Sequence, residues 1–293
     1  KRVGKNLVKE NNIYTLEEII KIKPDITIIA NPATKHLKFA NFLSKNKLKY
    51  IIEKPLSHNI NGIKNLIKIS DLKNVKPLLA YNLRFLPSLI FFKSLIDKKS
   101  LGKILSVQST VGSNLVNWRK TTEYYQSVSS KKKLGGGVLL ELSHEIDYLF
   151  WIFGKFNQVS AIVEKKSNLK IDTEDSAFIN FKIGKSNTLG SLNIDFIRHD
   201  PIRVCYAICE NGTIFCDMFL NIVKIYKKKS NRWETLFRSK KNDSHKYQWE
   251  YYLKCLKNNK KPLSNLETGY YVIKIIELIK KSSINKKTFF IKS

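Results

Sequence analysis

Cysteine, arginine and acidic residues are all scarce in this chain, and no long apolar run occurs. The four cysteines form no C-x-x-C pair, which excludes a disulfide framework and the common zinc spacings. Cys205, Cys209 and Cys216 fall on neighbouring expected strands without a histidine, and read as small buried apolar residues; no metal site is expected. No stretch approaches the ~20 apolar residues of a membrane span, and no apolar leader opens the chain. These absences predict a reducing, cytoplasmic setting and no membrane partner. The balance of 53 basic to 24 acidic residues gives a net charge of +29, which by itself suggests nucleic acid. Yet only seven of the 53 basic residues are arginine, the residue that forks onto phosphates and bases. The lysines are scattered, and the longest basic runs are Lys131–Lys133 and Lys227–Lys229. Nucleic acid is therefore not expected as a partner; the charge is expected to attract small anionic ligands.

What is present is a chain of 293 residues, 43% hydrophobic, enough for a substantial core and two domains. Thr15 and Glu18 form a capping-box pattern for a helix over 15–23. Buried strands follow at Ile26–Ala30, Tyr50–Ile52 and Leu78–Tyr81, separated by helices over 34–46 and 59–73, with another helix at 87–97. This alternation predicts parallel strands with right-handed crossovers. After Gly102 the texture changes. Strands are expected at 104–112, 158–164, 176–183, 189–198, 202–209, 213–217 and 222–227, a helix at 138–153, and helices near 244–258 and 267–282. Short turns between consecutive strands argue an antiparallel sheet. Residues 113–134 are too long and polar for a plain connector, and read as a functional loop. The domains are expected at 1–100 and 101–293, with the last helix packing back on the first.

The chemistry-bearing residues cluster at strand tips. In a parallel sheet ligands sit beyond the carboxyl ends of the strands. Asn31, Pro32, Thr34 and His36 follow the first strand; Glu53, Lys54 and Pro55 follow the second; Asn82 and Arg84 follow the third. Lys54 is the ionisable group best placed to act there, on a backbone restricted by Pro55. Asn31 and Thr34 suit ribose or phosphate, and His36 suits either that role or helix-start packing. Arg84 suits a sugar oxygen, an anion or a surface ion pair. His144 and Asp147, three apart, share a helix face, and form either an acid/base unit or a helix-surface pair. Glu141 and Glu145 lie nearby, either at the site or facing solvent. Gly135–Gly137 is a close-packed turn rather than a phosphate cradle. In the long loop, Trp118, Arg119, Tyr124 and Tyr125 either line the site mouth or anchor the loop.

A-x-P-x-x-x-H (30–36), then EKP (53–55), LLAYNLRFLPSLIFFKSLI (78–96), LGGGVLLELSHEIDYLFWIFG (134–154) and ENGTIFCD (210–217) together resemble the glucose-fructose oxidoreductase/inositol dehydrogenase (Gfo/Idh/MocA) family, in the family's order. The resemblance implies an α/β fold: a partial Rossmann-like parallel sheet, lacking its first strands and glycine loop, then an α+β domain with a large, mainly antiparallel sheet. It implies NAD or NADP as cofactor, contacted by Asn31, Pro32, Thr34, His36, Glu53, Lys54, Asn82, Trp118 and Arg119. Lys54, His144 and Asp147 become the catalytic residues, and Lys54, Arg84, Tyr124, Asp147 and His144 bind substrate.

The implied reaction is hydride transfer between nicotinamide and a hydroxyl or keto carbon of a sugar, nucleotide sugar or cyclitol. The segment from Asn117 to Gly154 looks most like members tied to surface-glycan sugar metabolism. A homo-oligomer, dimer or tetramer, is expected through the antiparallel sheet. No G-x-G-x-x-G occurs, and the chain opens Lys1-Arg2; the expectation is a start upstream, with about 40–50 further residues carrying that loop. The other reading is a non-catalytic relic that serves only for oligomerisation.

Overall fold

Thr15 accepts from the Glu18 backbone N–H while Glu18 returns a bond to the Thr15 N–H, so the expected capping box opens α1 (Leu16–Ile22). The computed structural model describes residues 15–119, 122–240 and 242–291. Strands β1 (Thr27–Ile29), β2 (Tyr50–Ile52) and β3 (Leu78–Leu79) form a three-stranded parallel sheet in that order. Thr27 sits beside Tyr50 and Ile51 beside Leu78. The crossovers run through α2 (Ala33–Lys45) and α3 (Ile63–Leu72). Burial on both faces accounts for the unbroken apolar runs of β2 and β3, whereas Ile28 of β1 is exposed. One face joins the main core through Ile29, Ile52 and Leu79. The other packs Ile51, Leu78 and Ala80 against Tyr252 and Cys255 of α7 (Ser244–Lys257).

A 3₁₀ turn over Asn82–Phe85 leads into α4 (Pro87–Asp97), which starts with proline at its first position. The remaining strands are β4 (Ile104–Gly112), β5 (Phe156–Glu164), β6 (Ser176–Ile183), β7 (Thr188–Asp195), β8 (Ile202–Cys209), β9 (Gly212–Asp217), β10 (Ile222–Lys227), β11 (Arg232–Arg238) and β12 (Phe289–Phe290). They form one nine-stranded sheet in the order β11-β10-β9-β8-β4-β7-β6-β5-β12. The antiparallel expectation holds for all neighbours except β4 and β7, which run parallel from Ser106/Leu189 to Gly112/Asp195. The difference has a topological cause: β4 enters between two meanders, β5–β7 and β8–β11, and β7, the last strand of the earlier one, lies beside it in the same direction. Strand β11 escapes the apolar pattern because six of its seven residues are exposed. Strand β12 is only two residues long.

The helix expected over 138–153 is two helices, α5 (Val138–Glu141) and α6 (His144–Phe153). Helix α8 (Leu266–Asn285) ties the sheets together. Gly269 brings its backbone so close to Leu56 and Leu79 that a Cβ would lie 2.7 Å from Leu56 Cβ. Farther along, Ser282 and Ser283 accept from the N–H groups of Ala161 and Val163 on β5. All four cysteines are free and buried. Among the described residues no helix is long and apolar enough to cross a membrane, and no cluster of three metal-ligating side chains forms.

Gly190 faces Phe181 across β6 and β7, and a Cβ there would sit 2.1 Å from the buried ring. Gly190→Ala is expected to lower stability by about 1–3 kcal/mol through overpacking. Urea unfolding should show this as a lower midpoint at unchanged slope.

Candidate active site

The break between α5 and α6 creates the first contact of the site. The Glu145 N–H turns to the Leu142 carbonyl, leaving the Glu141 carbonyl without its usual helical donor. Lys54, at the tip of β2, donates its Nζ to that oxygen at 2.7 Å. The Glu141 carboxylate also lies 3.7 Å from Nζ. Lys54 is therefore held from one side while its side chain remains 19% exposed. The Lys54–Pro55 peptide bond is cis.

His36 is buried between the two strand tips. Its Nδ1 lies 2.8 Å from the Pro55 carbonyl and its Nε2 2.7 Å from the Asn31 carbonyl. A neutral imidazole carries one N–H, so it donates to one tip at a time. Burial lowers its proton affinity, while the two carbonyls and Glu53 pull the other way. Of the two roles open to His36 in the sequence, packing between the tips is the one this geometry describes. Asn31 is exposed, and Pro32 caps α2.

His144 opens α6 under the tip of β3, with Tyr81 edge-on at 5.4 Å. Its Nδ1 is sealed from solvent and has no partner among the described residues. Burial pushes its pKa well below 6.5, and the nearby charges of Lys54, Arg203 and His245 lower it further. The neutral imidazole thus keeps an unused polar atom at Nδ1, closed off from solvent.

Asp147 does not orient His144. It receives a two-pronged ion pair from Arg84, at 2.9 Å from Nε and 2.8 Å from Nη2, with both side chains almost wholly buried. A guanidinium fork matches both carboxylate oxygens, which a neutral imidazole cannot do. Burial raises the Asp147 pKa and Arg84 opposes the rise. Arg84 also donates to the Leu263 carbonyl before α8, so it is neither a surface pair nor free for substrate. Nor do Glu141 and Glu145 face solvent: Glu145 is fully buried against Arg203 of β8, 2.9 Å from its Nε.

Asn82 uses both amide protons on α7, one on Ser244 Oγ at 3.0 Å and one on His245 Nε2 at 3.2 Å. In the long loop, Trp118 packs edge-on to Phe196 and donates to Ser113 Oγ at 2.7 Å, which is a loop anchor; Arg119 is exposed. Tyr124 turns away to accept from the Lys170 N–H, and Tyr125 lies under the Lys170 ammonium. Neither tyrosine is brought to Lys54. The glycine turn is close-packed as expected: a Cβ on Gly136 would meet the Val128 carbonyl at 2.3 Å, and one on Gly135 would meet Ala33 and His58.

Tyr81, Arg203 and His245 were not legible as site residues in the sequence. Arg203 did leave a signal, as an arginine in a chain that otherwise uses lysine.

Residues 91–215 match the family model for the GFO/IDH/MocA C-terminal domain. Levoglucosan dehydrogenase of Pseudarthrobacter phenanthrenivorans is 28% identical over 53% of this chain and 40% of its own length. An uncharacterised oxidoreductase of Synechocystis is 26% identical over 63% of this chain and 52% of its own length. The chain thus spans about half the length of these curated relatives. Among solved structures, a levoglucosan dehydrogenase complex with NADH superimposes with a TM-score of 0.84 at 18% identity, over 94% of this chain and 82% of that one. The aldose-aldose oxidoreductase of Caulobacter crescentus, complexed with glycerol, gives 0.82 at 16% identity over the same shares.

Because His144 and His36 bind protons less readily folded than unfolded, their contribution to stability is full above their ordinary value of 6.5 and is lost as pH falls below it. Each contributes a slope of up to about 1.4 kcal/mol per pH unit. Asp147 and Glu145, raised by burial, act with the opposite sign. The reading is therefore the difference between wild type and His144→Gln. Tm should fall more steeply below about pH 6.5 in the wild type, and parallel curves would contradict the buried neutral imidazole.

Proposed function

From a chain that carries the GFO/IDH/MocA C-terminal domain at residues 91–215 and the fold of that family's solved members, we propose a nicotinamide-dependent oxidoreductase of sugars, nucleotide sugars or cyclitols. A place in surface-glycan sugar metabolism is part of the proposal. The observation that carries it is the convergence of Lys54, held by Glu141, on His144 with its unpartnered Nδ1. The residues fit the nicotinamide end of NAD or NADP: a sealed polar atom without a partner and a fixed ammonium line the crevice at the strand tips, where such a ligand sits. The cofactor, when bound, supplies the hydride acceptor or donor. Asn31, Thr34, Glu53 and Asn82 are the residues assigned to hold it.

The chain's own residues then have separable tasks. Lys54 orients the reacting hydroxyl and stabilises the developing alkoxide. His144, kept neutral by burial and by neighbouring cations, accepts a hydrogen bond or proton from that hydroxyl at Nδ1. Asp147 acts through Arg84 and fixes α6 beneath the tip of β3. The two sheets divide the labour, with residues up to 100 serving the cofactor and 101–293 the substrate. Self-association through the large sheet belongs to the same reading. Its open face carries Ile162 and Phe178, paired in register and each more than half exposed, on a scale that favours covering by a second copy.

Two experiments test this. Exciting tryptophan and following energy transfer to NADH and NADPH should report binding, and Lys54→Ala should keep that affinity within a few-fold while lowering turnover of the sugar substrate by about 100-fold or more. Unchanged turnover would remove Lys54 from the chemistry. In sedimentation, the wild type should be a dimer or tetramer, and Ile162→Lys/Phe178→Lys should shift it toward monomer.

A further inference from the structure

Arg203 is held in an unusual way for a buried arginine. Only its Nε approaches Glu145, at 2.9 Å, and that contact is a charge contact without hydrogen-bond alignment. Its guanidinium lies over the Phe219 ring at 5.7 Å. Among the described residues no carboxylate or carbonyl receives the two terminal nitrogens, and the side chain keeps 16% exposure. The contrast with Arg84 is sharp, because there Nε, Nη1 and Nη2 all donate to protein oxygens. Arg203 is also close enough to His144, as Lys54 is, for its charge to bear on that imidazole. An open guanidinium edge thus stands beside the reacting groups, at the carboxyl end of β4, where Arg203 pairs with Val111.

A guanidinium edge with two free N–H groups matches a carboxylate or phosphate in a planar, two-pronged geometry that neutral hydroxyls do not reproduce. Lys54 is held by Glu141 on one side and its remaining donors are assigned above to the reacting hydroxyl, so Arg203 is the planar cation left to meet a second group. Resting on the oxidoreductase reading above, we propose that the substrate is a sugar bearing an oxyanion, carboxylate or phosphate, and that Arg203 receives that group. Glu145 is the positioning residue: it anchors Nε from the protein side and leaves the outer edge facing the crevice.

Calorimetry with NADH present compares D-glucuronate, D-glucose 6-phosphate and D-glucose as probes. The two anionic probes separate the carboxylate and phosphate forms. At least one is expected to bind 10-fold or more tightly than glucose. Arg203→Lys keeps a cation against Glu145 but lacks the fork, and Arg203→Gln/Glu145→Gln removes the buried charge pair altogether, so at least one variant remains folded. Each folded variant should lose the preference for the anion by about 10- to 100-fold while keeping its affinity for glucose and NADH. Lys68→Gln, an exposed lysine on α3, controls for general attraction to the +29 surface and should change nothing. The proposal is overturned if wild type shows no preference for either anion, if a folded Arg203 variant keeps the preference, or if Lys68→Gln reduces it as much as the Arg203 variants do. NADH binding without any anion preference removes the proposal and leaves the oxidoreductase reading. Absence of both NADH and sugar binding removes the two together.

Discussion

The Arg84–Asp147 pair is the contact on which the site's geometry rests. It lies out of water, where an unpaired charge of either sign would be severely penalised. The fork must therefore be satisfied in full, and it joins three separate segments: the turn after β3, helix α6, and the carbonyl of Leu263 ahead of α8. Once these are fixed, α6 can start only beneath Tyr81. That places His144 against the Tyr81 ring and Glu141 over the tip of β2. Lys54 then meets the Glu141 carbonyl that the break between α5 and α6 leaves free. The ion pair thus fixes α6 against the turn after β3, and α8 ties the two sheets together.

The fold was readable wherever local pattern and tertiary environment agree. Strands Tyr50–Ile52 and Ile104–Gly112, helix Pro87–Asp97 and the Thr15 capping box fall where the sequence puts them. The pattern failed where burial no longer decides the residue. Strand β11 is polar because it is an exposed edge, and β4 hides its parallel partner because nothing local records which strand a long loop returns to. In the site, spacing placed His144 and Asp147 on one helix face but could not say which partner each would take. That outcome depends on Arg84, 63 residues away. Arg203, apart from being an arginine in a lysine-rich chain, and His245 went unread for the same reason: each comes from an element whose own pattern reports only strand or helix.

Charge also reads differently in three dimensions. The chain's excess of lysine is a property of its surface, whereas arginine was kept at Asp147 and Glu145, where the partner is buried. This fits the difference between the two side chains. A compact, strongly hydrated ammonium is poorly suited to the interior, and a weakly hydrated planar fork tolerates it. Lys54 is the exception, an ammonium drawn partly inward by one orphan carbonyl.

Helix α8 has a consequence for how this protein is made. Its first turns pack on the small sheet, its last turns hydrogen-bond to the edge of β5 away from β6, and β12 then pairs along that same edge. All of these follow β5 in the chain and leave the ribosome after it. Until they emerge, the nascent polypeptide exposes the β5 edge beside Ile162 and Phe178, a template for unwanted pairing. The interval between the emergence of β5 and that of α8 is therefore when a chaperone has most to shield.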